Sequence, residues 1–385
     1  MAEAKVNGER LWRSLMEMAR IGATPAGGNC RLALSDEDRA GREAFLAWAR
    51  EAGCAVTIDR MGNLFVRREG DDPAAAPVVA GSHLDTQPTG GRFDGVYGVL
   101  AGLEVLRALD DGGIRTRRPV EVVVWTNEEG SRFQPAMIGS GVFSGAFSLD
   151  YAYGQRDTAG RTFGEELARI GFKGPAPCRP RPMHAYIEAH IEQGPVLEAE
   201  DRVVGVVTGI QGIKWFHCRV RGVNAHAGTT PMAVRRDPLL GMARMVAAIE
   251  ALYQRFNPDV VYTVGMLQAD PGSINVINRE VFFSLDLRCP DAQCLEALSQ
   301  AARDECSRIA AGMGLALELE QIWDCPPRRF DPAVVQVVEQ AAAAAELPHR
   351  RMVSGAGHDA GYVSDVCPTG MIFIPCKGGL SHNEA

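Results

Sequence analysis

The chain has 385 residues, 46% hydrophobic and 23% charged, with a net charge of −8 and a pI near 5.6. That length supports two cores rather than one, and the acidic balance excludes a general nucleic-acid binder, which needs a basic face. No apolar run approaches the ~20 residues of a membrane helix, so no membrane partner is expected.

The N-terminus, MAEAKVNGERLWRSLMEMAR, has early acidic residues and no continuous apolar stretch, and it reads as something other than a signal peptide. Ten cysteines are scattered singly from Cys30 to Cys376. They read as reduced, mostly buried thiols of a cytoplasmic protein.

Leu11, Leu15 and Met18 recur at helical spacing and predict an N-terminal helix. Ser35-Asp36-Glu37-Asp38 reads as a capping box opening a second helix that runs through Phe45, Leu46 and Trp48 and stops at Gly53. Residues 54–68 predict two short strands around Met61-Gly62-Asn63. A buried strand at 78–80, an apolar helix at 96–109 and a second buried strand at 120–125 follow, and 186–191 continues the pattern. Strands rich in Val and Ile alternating with helices indicate an α/β layer around a mixed central sheet.

From about residue 209 the character changes. Strand 214–220, helix 237–256, strands 260–266 and 281–287, helix 291–311 and strand 315–322 give the element order of a ferredoxin-like α+β sandwich. The α/β pattern resumes with helix 332–345 and strand 371–375. The expected organisation is a discontinuous catalytic domain, residues 1–208 and 325–385, interrupted by an inserted domain, residues 209–324.

Candidate metal ligands sit at or just after strand ends, where α/β folds assemble their sites. His83 follows one strand, with Asp94 in the glycine-rich loop GSHLDTQPTGGRFDG. Glu128-Glu129 follows the next strand, His190 lies in another, and His382 follows the last. Singly, each has an ordinary structural alternative, such as a loop histidine, a solvated turn or a helix cap. Together they put several polar groups at one sheet edge, where desolvation is expensive unless something binds them. Imidazole and carboxylate without cysteine suit Zn²⁺, Mn²⁺, Co²⁺ or Ni²⁺ without choosing between them. Adjacent side chains on an extended segment point in opposite directions. One of Glu128 and Glu129 can therefore bind metal while the other carries a proton, the division that metal-assisted hydrolysis needs. Asp85 is spaced either to orient the His83 imidazole or simply to form a turn.

The segments GSHLDTQPTGGRFDGVYGVLAGLEVL, TNEEGSRF, EAHIEQGPVLE, GVNAHAGTTPM, SINVIN, DLR, SGAGHDA and GGLSHN, in this order, resemble the M20 metallopeptidase-like amidohydrolases. More narrowly they are similar to the branch containing N-carbamoyl-L-amino-acid hydrolases, β-ureidopropionases and allantoate amidohydrolases, and the likeness runs from about residue 11 to the end. The resemblance implies a zinc-exopeptidase-like, three-layer catalytic domain. It implies two divalent ions per subunit: His83 and His190 would hold one, Glu129 and His382 the other, with Asp94 bridging. Glu128 would be the general base, with Asp85 behind His83.

It also implies a homodimer built through the inserted domain, with His226 reaching the partner's active site to stabilise an oxyanion. Asn275 and Arg288 match positions that hold a substrate carboxylate, a task suited to a guanidinium fork. Gln193 matches a substrate-binding position beside the metals. The Gly355-Ala356-Gly357 backbone, Gly357 in particular, would add donors, with His358 beside it. His184, His217 and His349 match nothing and read as structural or exposed. Members of the family continue past the SHN motif with a helix on the catalytic domain, and a ligand three residues from the last residue given is expected to fray.

The implied reaction is hydrolysis of an N-carbamoyl-L-amino acid, or of N-carbamoyl-β-alanine, to the amino acid, CO₂ and ammonia. Allantoate is the alternative substrate, and a dipeptide a further one. Gln87 and the RFDG sequence at Asp94 lean toward the carbamoyl-amino-acid side. A binding protein that has lost catalysis is the rival from another class, opposed by the presence of all five ligands and Glu128.

Overall fold

The computed structural model describes residues 4–256 and 259–384. They divide into two units, residues 1–208 with 330–385, and residues 209–329.

In the first unit, helix α1 (Gly8–Met18) begins where the Asn7 side chain accepts the Arg10 N–H, and α2 (Asp36–Glu51) where Ser35 accepts the Asp38 N–H. The strands are β1 (Ala55–Ile58), β2 (Leu64–Arg68), β3 (Val78–His83), β4 (Val120–Trp125), β5 (Ala185–Ile191), β6 (Val204–Ile210), His349–Ser354 and Thr369–Ile374. The sheet order is β1-β2-β4-β3-β5, then Thr369–Ile374, then β6, with His349–Ser354 also paired to β6. Strands β4, β3, β5 and Thr369–Ile374 run parallel to one another, while β1, β2 and β6 pair antiparallel. The sheet is therefore mixed.

Helix α3 (Val96–Asp111) buries Val96, Val99, Leu100, Leu103 and Leu106 and sets Gly102 against Val122. On helix Ile138–Ser144, Phe143 brings its ring within 5.1 Å of Trp125. Val122 and Trp125 are an odd number of residues apart on one strand, so these two helices cover opposite faces. The result is a sheet between helical layers, and each fully buried Val or Leu contributes about 1.5–3 kcal/mol.

Sequence alone did not indicate β6, the strand His349–Ser354 or the short helices between residues 138 and 169. The second unit is likewise more broken than its pattern. Residues 260–266, expected as one strand, form Val261–Thr263, and a separate strand follows at Leu267–Asp270; both pair with Glu280–Cys289. Gly265 interrupts them, and Ser284 holds the break by taking the Met266 N–H on its hydroxyl and giving its own N–H to the Met266 carbonyl. The antiparallel order is Leu267–Asp270, Glu280–Cys289, Gly212–Arg221, Ala316–Cys325, with helices Pro238–Tyr253 and Ala292–Gly312 completing a ferredoxin-like sandwich. Its core gathers Phe216, Met245, Ile249, Phe283, Leu287 and Leu298. The unit extends to Arg329, beyond the expected boundary at 324.

One contact fixes where α3 starts. A Cβ on Gly98 would lie 2.2 Å from the Ala189 carbonyl oxygen, so only glycine lets the helix rest on the β5 backbone beside His190. Gly98→Ala is expected to lower unfolding free energy by about 1–3 kcal/mol. Chemical denaturation checks this; an unchanged midpoint would show that helix and strand tolerate separation.

Candidate metal centre

Because β4, β3, β5 and Thr369–Ile374 are parallel neighbours, their carboxyl ends share one edge of the sheet. His83 is the last residue of β3, and His190 is the penultimate residue of β5. Glu128 and Glu129 lie just beyond β4, and His382 lies in the segment after Thr369–Ile374. Asp94 comes from the loop that opens α3. Asn127, Gln193 and His382 all take left-handed backbone conformations (φ of 59°, 58° and 53°), a cost that non-glycine residues bear mainly where surroundings demand it.

The two buried imidazoles are set by carbonyls. His83 Nδ1 lies 2.8 Å from the Asp85 carbonyl oxygen, and His190 Nδ1 lies 2.9 Å from that of Ile191. A carbonyl only accepts, so each Nδ1 carries a proton and each Nε2 is turned toward Asp94, at 3.9 Å from His83 and 3.1 Å from His190. The ligand atoms of His83, Asp94 and His190 all lie within 4.8 Å of one another. Those of Asp94, Glu129 and His382 form a second such group. Asp94 belongs to both.

Asp85 is placed differently from the expected arrangement. Its backbone carbonyl orients His83, while its carboxylate stands 4.0 Å from the ring and accepts the N–H groups of Glu128 and Glu129 at 3.2 Å each. The carboxylate instead holds the Glu-Glu backbone. Glu129 Oε2 accepts from Gln87 Nε2 at 2.7 Å and lies 3.3 Å from His382 Nε2. Glu128 places a carboxylate oxygen 3.5 Å from His83 Nε2.

Charge is concentrated here without ordinary compensation. Elsewhere in this unit several buried carboxylates take arginines: Asp38 with Arg42, Glu104 with Arg10, Glu121 with Arg67 and Arg181, Glu166 with Arg132. Among the described residues no arginine or lysine pairs with Asp85, Asp94, Glu128, Glu129, Glu188 or Asp359. Burial, then the charges of Asp359, Glu129 and Asp85, pushes the Glu128 carboxyl well above its usual range. Burial pushes Asp85 up to about 6. Burial opposes ionisation of Asp94, yet its hydrogen bond to His190 and the charges of both histidines hold it well below the usual range. Burial also disfavours a charged His190, and the bond and charge of Asp94 outweigh it, raising the imidazole to about 9. Behind it His358 packs edge-on at 4.6 Å and is kept neutral by burial.

These groups fit a divalent cation. Hard carboxylate oxygens and imidazole Nε2 atoms converge, and the buried Glu129 Oε1 and Gln193 Oε1 have no hydrogen-bond partner. Gly95 is indispensable to this packing: at φ +66°, its Cβ would sit 2.3 Å from the His83 ring. Gly95→Ala is therefore expected to lose most bound metal while every ligand remains. Elemental analysis beside a far-ultraviolet circular dichroism spectrum checks this, and full metal content in the variant would contradict the crowding argument.

Gln193 also belongs to this centre, donating to Asp94 at 3.1 Å. Gly357 lies against Met137, and the neighbouring Ala356 N–H is taken by the Ser354 hydroxyl. The remaining candidates are in the second unit. There the two-stranded pairing of Ala225–His226 with Val276–Ile277 sets His226 beside the Asn275 segment, with the Ala227 N–H bonded to the Asn275 carbonyl. His226 Nδ1 accepts the N–H groups of Gly228 and Thr229, so its proton is on Nε2. Arg288 directs Nε and Nη2 to Asp286. His184 is exposed, His217 packs on Phe282, and His349 bonds the Leu347 carbonyl. Sequence reasoning passed over Ser381, which bonds Asp94 at 2.9 Å; its adjacency to His382 was the available signal. It also passed over Glu188 and Asp359, which nothing in a single chain distinguishes from surface carboxylates.

Comparison with known proteins identifies the family. An N-carbamoyl-L-amino-acid amidohydrolase of Rhizobium meliloti is 48% identical over 381 residues, covering 99% of this chain and 92% of that protein. A protein of the same name from Geobacillus stearothermophilus is 39% identical over 384 residues, covering 99% and 93%. The crystal structure of an amidase of the hydantoinase/carbamoylase family from Burkholderia multivorans matches with a TM-score of 0.97 at 57% identity, over 99% of this chain and 92% of that one. A family model, peptidase family M20/M25/M40, matches residues 79–385, from β3 through the last candidate ligand, and the chain belongs to that metal-dependent family.

Proposed function

We propose that this protein hydrolyses the ureido C–N bond of N-carbamoyl-L-amino acids to the amino acid, CO₂ and ammonia. The observation that carries the reading is the pair of ligand groups sharing Asp94, with the unpaired Glu128 carboxylate beside His83. The relatives' named substrate supplies the ureido class.

In this reading His83, His190 and Asp94 hold one divalent ion, Zn²⁺, Mn²⁺, Co²⁺ or Ni²⁺, and Asp94, Glu129 and His382 hold a second. When bound, such ions polarise the ureido carbonyl and acidify water. Glu128 takes the proton of the attacking water on its carboxylate and returns it to the leaving nitrogen. Asp85 keeps that carboxylate in place through the Glu128 and Glu129 backbones. Gln193, with a free carbonyl oxygen at the site, and the Gly357 backbone orient the ureido group.

Three residues of the second unit complete the assignment. His226 carries its proton on Nε2, the tautomer suited to an oxyanion, and would act from a partner subunit. Asn275 and Arg288 anchor the substrate carboxylate, which places the carbonyl for attack. A homodimer is supported by the ten-residue strand Ala316–Cys325, which pairs on one side only among the described residues and exposes Ile322 and Trp323.

Glu128→Gln is expected to keep its metal and lose turnover by at least ~10²–10⁴-fold. Ammonia release from N-carbamoyl-L-alanine, N-carbamoyl-β-alanine and allantoate, with Mn²⁺ or Zn²⁺ supplied, tests both this and the substrate class. Near-normal turnover in the variant reassigns the base, and preference for allantoate reassigns the substrate. Ile322→Lys combined with Trp323→Lys should shift sedimentation from dimer to monomer; an unchanged dimer would place the interface elsewhere.

A further inference from the structure

The geometry points to Ser381 as the positioning residue that locks Asp94 and His382 together at the second cation position, an inference that rests on the two-cation reading above. The two oxygens of Asp94 have different environments. Oδ1 faces the buried histidines, at 3.1 Å from His190 and 3.9 Å from His83. Oδ2 accepts the Ser381 hydroxyl at 2.9 Å and Gln193 Nε2 at 3.1 Å. Gln193 Nε2 also donates to the Ser381 oxygen at 2.9 Å, so that hydroxyl gives one bond and takes one, which fixes its rotor.

His382 needs such an anchor. Its side chain is 51% exposed, whereas those of His83, Asp94, Glu129 and His190 are at most 5% exposed. It sits on a left-handed residue whose segment lies over two glycines: a Cβ on Gly28 would come within 2.6 Å of Glu384, and one on Gly91 within 3.5 Å of the Asn383 carbonyl. The Ser381–Asp94 bond ties this segment directly to the shared carboxylate, one residue from the imidazole it must aim. The chemistry of the tie is also apt. A hydroxyl and an amide orient Asp94 without bringing a positive charge, which would oppose a cation in a way an arginine could not avoid. Gln87 does the same for Glu129.

The test loads full-length protein with Zn²⁺, equilibrates it against a graded zinc chelator and measures retained zinc by elemental analysis. Wild type should release two equivalents in separate steps. Ser381→Ala should release one of them at roughly 10–100-fold weaker chelation, the size of effect that a ligand-orienting partner exerts, and leave the other unchanged. Ser381→Thr, which keeps the hydroxyl, should restore it. Hydrogen exchange across residues 377–384 should quicken in the alanine variant alone. His382→Ala separates the two levels of argument. If wild type itself holds fewer than two equivalents, the two-cation reading fails, and if His382→Ala still retains two, His382 is not the ligand that Ser381 is said to aim. If it retains one while Ser381→Ala behaves as wild type, or if Ser381→Ala weakens both equivalents equally, the role given to Ser381 is overturned.

Discussion

Uncompensated negative charge at one sheet edge is the constraint around which the first unit is built. A buried carboxylate without a partner is severely destabilising, and elsewhere this chain supplies arginines, as at Asp38, Glu104, Glu121 and Glu166, or converging N–H groups, as at Asp59 and Glu192. At the carboxyl ends of β3, β4 and β5 it does the reverse. Asp94, Glu128 and Glu129 converge with Asp85, Glu188 and Asp359 close behind them, and the basic groups nearby are imidazoles already oriented as ligands. Burial pushes the Glu128 and Asp359 carboxyls well above their usual range, which favours their neutral forms and lowers the charge that the fold has to bear.

The surroundings of the site follow from this constraint. The groups that touch the candidate ligand side chains are neutral: the carbonyls of Asp85 and Ile191 behind the histidines, the amides of Gln87 and Gln193, the hydroxyl of Ser381, while the Asp85 carboxylate holds the Glu128–Glu129 backbone. Close backbone approach does the rest. Gly98 lets α3 rest on β5, and Gly95 clears the face of the His83 ring. Glu188, deeper still, is held by Ser82, Tyr186 and the Ala360 N–H, which joins the short helix Asp359–Val363 to β5.

The second unit has a core of its own and a different kind of chemistry. Its candidate groups lie on short paired segments and strand ends, with His226 tautomer-locked by two backbone N–H groups and Arg288 braced by Asp286. A braced guanidinium gives up part of its fork but gains a fixed direction, which suits recognition of a small anion. Among the described residues Ala316–Cys325 pairs on one side only, which leaves this unit an open sheet edge.

Much of this was legible in one sequence because it rests on local signals. Valine-rich runs marked β3 and β4, helical spacing marked α1, apolar content marked α3, and Ser35 and Asp237 marked helix starts. The blocks around His83, Asp94, Glu128 and His382 carried the family likeness. What spacing could not supply was direction. That Asp85 turns its carbonyl to His83 and its carboxylate to the Glu128–Glu129 backbone depends on how the end of β3 meets the segment that follows β4. That Ser381 reaches Asp94 across nearly three hundred residues depends on parallel strands ending together. The short strands and helices that sequence missed, such as His349–Ser354 and Ile138–Ser144, have too few residues to show a period. Residue type and order were enough to say which atoms could bind a cation; only the fold decided which of them face one another, because hydrogen-bond direction is set by neighbours far away in the chain.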